Sequence, residues 1–180
     1  MFKELSTQRT LLKKITWEYT HDIFEYASDK ETTQYMSWPT HKDVSDTEEF
    51  IRDTIKRYKS GSHYDWAVIL KKDKKMIGTC GIPHLKVKEK TAEIGYIINK
   101  KYWNKGYATE VVSRLLKFIF EDLNLQKAEA YCFMGNDSSE RVLHKAGFTF
   151  MGIKKYSVIK QKEPIEAKYF TLKKNDGKST

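Results

Sequence analysis

Ala92-Glu93-Ile94-Gly95-Tyr96-Ile97-Ile98 reads as a strand, Lys100 to Gly106 as a turn, and Tyr107-Ala108-Thr109-Glu110 as the start of a long helix. Alternation along the strand puts Glu93, Gly95 and Ile97 on one face and Ile94, Tyr96 and Ile98 on the other. The helix follows from Ala108, Val111, Val112, Leu115, Leu116, Ile119, Phe120 and Leu123, which recur at helical spacing as one continuous apolar stripe. Glu110 with Arg114, and Lys117 with Glu121, are i,i+4 pairs of opposite charge on its remaining surface. Between strand and helix, Trp103-Asn104-Lys105-Gly106-Tyr107-Ala108-Thr109 occupies the place where unpaired N–H groups look out of a helix N-terminus. Those donors and the positive end of the helix dipole suit an anion such as a diphosphate, provided the turn residues let it approach. Gly106 and Ala108 are small enough, and Lys105 adds positive charge. The plainer alternative is a glycine that serves only the turn.

On the N-terminal side, Leu11 to Ile15 reads as an opening strand and Trp17 to Ala27 as a first helix. A second helix is expected over 45–59, where Ser45 and Glu48 have capping-box spacing and Phe50, Ile51, Ile55 and Tyr58 recur helically. Trp66 to Leu70 and Met76 to Ile82 read as a hairpin across Lys71-Lys72-Asp73-Lys74-Lys75. That lysine cluster and Lys86-Val87-Lys88-Glu89-Lys90 read as solvated turns. On the C-terminal side come a strand around Ala128 to Phe133, a short helix opened by Asn136-Asp137-Ser138, a strand from Phe148 and a last strand near Ala167 to Leu172. Hairpins early and alternating strands and helices late predict a single α/β (α+β) domain with a mixed, mostly antiparallel sheet flanked by helices. The domain is expected over 1–172, with a polar tail over 173–180.

Composition agrees with one folded domain. The 180 residues are 39% hydrophobic and 13% aromatic, too apolar and ring-rich for a disordered chain. No apolar stretch approaches the roughly 20 residues that span a bilayer, and the start lacks the apolar core of a secretory signal, so the expected compartment is the cytoplasm with no membrane partner. Cys80 and Cys132 are solitary, match no zinc spacing and read as core residues; no metal site is expected. The net charge of +9 is spread along the chain, and no basic strand face carries the aromatics that stacking RNA modules need. His21, His41, His63, His84 and His144 pair with no nucleophile at a recognisable spacing and read as surface or structural.

The second half also carries Asn136-x-x-Ser139-x-x-Val142-x-x-Lys145-x-Gly147-Phe148, a polar helix start and a glycine stop between two strands. From Ala92 to Phe148 the chain resembles the GCN5-related N-acetyltransferase (GNAT) family. The order Arg9-Thr10-Leu11-Leu12, Ile77-Gly78-Thr79-Cys80-Gly81, Glu93-Ile94-Gly95-Tyr96, Tyr102 through Glu110 and Gly147-Phe148 is similar to its ribosomal-protein alanine N-acetyltransferase (RimJ/RimL-like) group. The likeness runs from about Arg9 to about Leu172. It departs from the family's pyrophosphate pattern at Trp103, where Arg or Gln is usual, and at Asn104, where a first glycine is frequent. Where many relatives have a tyrosine acid seven residues after the asparagine, this chain has Leu143.

The resemblance implies acetyl transfer from acetyl-CoA to a primary amine by direct attack, with the α-amino group of a protein as the leading acceptor. It implies a cofactor site at Ile98, Trp103, Asn104, Lys105, Gly106, Tyr107, Ala108, Thr109, Asn136 and Ser139. Glu93, on the strand leading to the turn, could deprotonate the amine directly or through water; alternatively it is an exposed charge. The Ile98 backbone N–H is implied as the thioester or oxyanion donor. Ser139 matches a serine of the group and is implied to hydrogen-bond the departing sulfur, with helix capping by Ser138 or Ser139 as the alternative. Asn136 is read as orienting the pantetheine arm or the substrate, or else as a helix cap. In relatives the Met36-Ser37-Trp38-Pro39 loop lines the acceptor pocket, so Tyr35 and Trp38 would frame the acceptor; Trp38 is equally readable as a buried loop anchor. An α-amine (pKa about 7.7–8.0) needs less help than a lysine (about 10.4), by about 3–4 kcal/mol near pH 7. Two rivals stay open: a small amine acceptor such as a polyamine or aminoglycoside, and a noncatalytic ribosome- or RNA-associated module. Nucleic acid is expected only indirectly, through the ribosome, and a homodimer is compatible with the sequence.

Overall fold

A computed structural model describes residues 2–59 and 63–174. One eight-stranded sheet organises them, built from β1 (Leu5–Ser6), β2 (Thr10–Lys14), β3 (Tyr64–Leu70), β4 (Met76–Lys86), β5 (Thr91–Ile98), β6 (Lys127–Phe133), β7 (Thr149–Tyr156) and β8 (Ile165–Lys173). Their order across the sheet is β1-β2-β3-β4-β5-β6-β8-β7. Every neighbouring pair is antiparallel except β5 and β6, whose parallel pairing stops after Thr91↔Lys127, Ala92↔Ala128 and Glu93↔Glu129. β5 stays paired to β4 as far as Ile98↔Gly78. The far half of β5 therefore has a sheet neighbour on one side and a gap on the other. This agrees with the mixed, mostly antiparallel sheet expected from the sequence.

Helices cover both faces. On one, α4 (Tyr107–Lys117) and α5 (Asp137–Lys145) pack with the sheet around Leu12, Trp66, Val68, Ile94, Ile98, Val112, Leu115 and Phe170. On the other, α1 (Thr20–Ala27), α2 (Lys30–Thr33) and α3 (Val44–Tyr58) close over a smaller core containing Ile15, Ile23, Tyr26, Ile51, Ala67, Ile69 and Ile97. Ile94 and Ile98 enter the first core and Ile97 the second, as the alternation of β5 requires. Among the described residues, no helix is long and apolar enough to cross a membrane.

Several local expectations need correction. Asp43, in extended conformation, caps α3 by accepting from the Ser45 N–H at 2.8 Å and the Ser45 hydroxyl at 2.5 Å. Ser45 is thus inside the first turn and is no capping-box residue, because the carboxylate two positions earlier takes its donors. The stripe of α4 does not continue at one period: Phe118–Asp122 forms a π-helical turn, with Leu123 N–H donating to Phe118 O at 3.0 Å. The wider turn rotates the register, burying Phe118 edge-on against Trp66 and leaving Phe120 and Leu123 at the margin. The first helix opens with a 3-10 turn over Trp17–Tyr19. The short α2, capped by Asp29, had no separate signal. The lysine turns are only partly solvated, since Lys75 Nζ bridges Asp22 at 2.6 Å and Glu25 at 2.7 Å. β8 runs through Lys173, one residue past the expected boundary, and the expected tail beyond Lys174 lies outside the described residues.

Candidate active site

The gap between β5 and β6 is the root of the site. Asn99 N–H donates to Ile77 O at 2.8 Å, so by alternation Ile97 also turns its backbone groups to β4. Tyr96 and Ile98 consequently present theirs to the gap. The Ile98 carbonyl there accepts the Trp103 indole N–H at 2.6 Å, which ties the strand end to the turn that follows. Trp103 is thus a strut between strand and turn.

That turn ends at Gly106, whose φ of +78° suits glycine, and Asn104 is also left-handed at +58°. Glu110 N–H makes the first intrahelical bond, to Gly106 O at 3.1 Å, so the N–H groups of Tyr107, Ala108 and Thr109 precede any helical acceptor. They border a cleft of about 580 Å³, lined also by Ile98, Trp103, Asn104, Gly106 and, from α5, Asn136, Ser139, Arg141 and Lys145. The Lys105 side chain does not join it. Its ammonium turns back to donate to Lys101 O at 3.0 Å and lies 5.5 Å from the Tyr102 ring centre. The cations at this cleft come instead from Arg141 and Lys145, one helical turn apart. Neither was a sequence-based site candidate, because nothing local reports that α5 borders the end of α4.

Asn136 caps α5, its Oδ1 accepting from the Ser139 N–H at 3.1 Å. The Ser139 hydroxyl is therefore released from capping, and lies 2.8 Å from the Tyr96 hydroxyl inside the gap. Burial raises the Tyr96 pKa far above the usual phenol value, so it stays a proton carrier at any working pH. Leu143, which stands where many relatives have a tyrosine, is a core residue, and the phenol beside Ser139 is that of Tyr96 on β5. Sequence reasoning assigned the face of Tyr96 correctly but could not see its partner.

A second cavity of about 460 Å³ opens on the other side of the same residues. Tyr35, Met36, Tyr96, Ile97, Asn136 and Ser139 line both spaces. Tyr35 crosses between them, donating to Gly135 O at 3.0 Å. Trp38 lines the second cavity and also packs 5.2 Å from the His41 ring, so it is both wall and loop anchor. His41, read as structural, has that role through Thr47 Oγ1 at 2.8 Å and lines the same cavity. Ile159 and Lys160, between β7 and β8, fold back onto this loop. Ile159 N–H donates to Ser37 O at 2.7 Å and Lys160 Nζ to Gln34 O at 3.0 Å.

Glu93 reaches the second cavity. It is 7% exposed, which overturns the reading of a solvated charge. Tyr156 donates to its Oε1 at 2.5 Å, and the Tyr156 ring packs 4.5 Å from Tyr131. Burial, the largest influence, lifts the Glu93 carboxyl above its usual range; the Tyr156 hydrogen bond and the charge of His84 oppose, and Glu129 adds to the rise. Glu129, its register partner on β6, goes the other way. Burial would raise it, but hydrogen bonds from Lys127 and Tyr169, with the charge of Lys86, hold it below the usual range. The surroundings of these two adjacent carboxyls thus push them in opposite directions, Glu93 upward and Glu129 downward. The roles of Tyr156 and Tyr131 were invisible in the sequence, since β7 and β6 meet β5 only through the folded sheet.

The half-unpaired strand, the bare helix end and two cavities that meet define a protein built to bring two ligands together at one strand terminus. The chain belongs to the acetyltransferase (GNAT) domain family, whose model matches residues 9–149, and is therefore an N-acetyltransferase. It is 29% identical over 174 residues to the uncharacterized N-acetyltransferase YoaA of Bacillus subtilis, covering 97% of this chain and 98% of that one. Two solved structures share the fold. The ribosomal L7/L12 alpha-N-protein acetyltransferase RimL, in complex with coenzyme A, superimposes with a TM-score of 0.78 at 14% identity, over 95% of this chain and 98% of that one. Spermidine N-acetyltransferase from Vibrio cholerae, in complex with CoA and spermine, does so with a TM-score of 0.77 at 18% identity, over 92% and 95%.

Proposed function

We propose that the protein is a RimJ/RimL-like enzyme that transfers acetyl from acetyl-CoA to the α-amino group of a protein by direct attack. The observation that carries this reading is the meeting of two cavities at Tyr96 and Ser139, one headed by an open helix end and the other holding a buried carboxylate. Acetyl-CoA would supply an activated acyl thioester. The cleft fits it on its own chemistry: backbone donors of Gly106 to Thr109 for the diphosphate, Arg141 and Lys145 for phosphate charge, and the gap-facing backbone of Tyr96 and Ile98 for the pantetheine arm. Trp103, Asn104 and Asn136 shape the cleft, and Lys105 contributes backbone alone.

Glu93 takes the proton of the incoming ammonium, directly or through water, leaving a neutral amine to attack. The Ile98 N–H hydrogen-bonds the carbonyl oxygen as negative charge builds there. As the C–S bond breaks, the second proton leaves the nitrogen to give the neutral amide, and the departing sulfur, hydrogen-bonded by the Ser139 hydroxyl backed by Tyr96, takes up one proton to leave as the CoA thiol. An α-amino group suits one carboxylate base better than a lysine does, because its pKa of about 7.7–8.0 lies nearer neutrality. Tyr35 and Trp38 wall the acceptor side.

A second reading, a small polyamine acceptor, is favoured by Asp65, which lines the 460 Å³ cavity as a second carboxyl beside that of Glu93. Both readings are tested by acetylation of peptides beginning with Ala or Ser against spermidine. Peptide acetylation confined to the α-amine supports the first, and preference for spermidine replaces it with the second. A melting temperature unmoved by saturating acetyl-CoA would refute both and leave a noncatalytic module.

A further inference from the structure

We infer that Arg9 is a positioning residue for the cofactor turn: from outside the cleft, it holds the Lys105–Gly106 peptide with the Gly106 N–H facing the diphosphate. The inference rests on the proposed placement of acetyl-CoA at that turn. Arg9 stands just before β2, about a hundred residues from the turn in sequence, and does not line the cleft. Its Nη1 donates to Lys105 O at 2.9 Å. Its Nε and its backbone N–H each donate to a different oxygen of Glu110, both at 2.7 Å. Its guanidinium carbon lies 4.3 Å from the centre of the Tyr107 ring. One side chain thus touches the residue before the glycine, the residue after it and the first acidic residue of α4.

The need for such a clamp follows from the turn itself. In a trans peptide the C=O and the next N–H point to opposite sides, and none of the described peptides is cis. Tying Lys105 O to Arg9, behind the cleft, therefore turns Gly106 N–H to the front. Glycine has little conformational preference of its own, so nothing in Gly106 alone prevents that peptide from flipping and burying the donor. Glu110 adds a second reason. As an acid in the first turn of α4 it would repel a diphosphate, and Arg9 both offsets its charge and holds the carboxylate on the far side. Space there is limited too, since a Cβ at Gly106 would sit 3.4 Å from Arg9 Nη2.

The test measures CoA binding by calorimetric titration in the wild type, Arg9→Met, Arg9→Lys and Gly106→Val, with ligand-free melting temperatures alongside. It also compares acetyl transfer from acetyl-CoA and from S-acetyl-pantetheine, which lacks the diphosphate, to whichever of the Ala-first peptide or spermidine the wild type acetylates. Arg9→Met should weaken CoA by about 10- to 100-fold, the range for losing charge-assisted hydrogen bonds. Arg9→Lys should weaken it in the same direction, because one ammonium cannot bridge Glu110 and Lys105 O. The preference for acetyl-CoA over S-acetyl-pantetheine should fall by a similar factor in both. Loss of activity to the same extent with both donors would show a merely structural role and overturn the inference, as would unchanged CoA affinity. If Gly106→Val weakens CoA and the Arg9 variants do not, Arg9 alone is refuted; if none of the three does, the placement of the cofactor falls with it.

Discussion

Replacing Tyr156 by Phe removes one oxygen from the buried surroundings of Glu93 and keeps the ring that packs against Tyr131. The lost bond stabilises the ionised form of Glu93, so its removal raises that carboxyl's pKa. A hydrogen bond to a charged group contributes about 1.5–3 kcal/mol, and one pKa unit is about 1.4 kcal/mol, which gives a rise of about 1–2 units. At 7% exposure there is little solvent to take the hydroxyl's place. The other groups around Glu93 are unaltered by the change: His84 and Lys86 from β4, Glu129 and Tyr131 from β6, and Tyr169 from β8. In the proposed mechanism Glu93 can act as a base only when ionised, so activity should fall as pH drops through its folded-state pKa. The acid limb of kcat/KM for the acetylated amine should therefore move to higher pH by about 1–2 units in Tyr156→Phe, with the plateau largely kept. Steady-state rates between pH 5.5 and 9 read this directly. An acid limb that stays in place while the plateau drops would refute the reasoning, since the phenol would then matter only to packing.

Glu93→Gln should lower turnover at neutral pH much more than it weakens CoA binding; turnover equal to wild type removes Glu93 from the mechanism. Arg141→Ala and Lys145→Ala should each raise the Kd for CoA severalfold, with the difference from wild type shrinking as salt is added, and a salt-independent difference would count against phosphate pairing. Asp43→Ala should lower the urea midpoint through loss of the α3 cap, and Ser45→Ala should lower it clearly less. Equal losses would restore Ser45 as the cap.

The sheet and the helix after β5 were legible because alternation and helical spacing are local properties of the chain. The positions of Gly106 and Glu93 on one strand-turn-helix unit, and of Asn136 and Ser139 at a helix start, follow from equally local patterns, while the role given to Ser139 came from the family resemblance. What the sequence could not disclose depends on distant segments meeting. Tyr156 reaches Glu93 across 63 positions, Arg9 reaches Glu110 across 101, and Lys105, charged and adjacent to the glycine, points elsewhere because Lys101 O and the Tyr102 ring hold it. The capping of α3 failed differently. Two acceptors compete for one set of donors, and Asp43 prevails by standing outside the helix, where its backbone is already extended.

The Ser37 carbonyl receives both Ile159 and Lys160 N–H groups, so the tip joining β7 to β8 is stitched to the loop after α2. Ile159 of that tip lines the 460 Å³ cavity alone, whereas Tyr35 and Met36 of the loop line both spaces. On the proposed placement of the amine, the two pieces of chain that wall its cavity are tied to each other and can be exchanged together. Grafting both from a relative with a different acceptor should transplant its substrate choice, and grafting either one singly should leave the seam open.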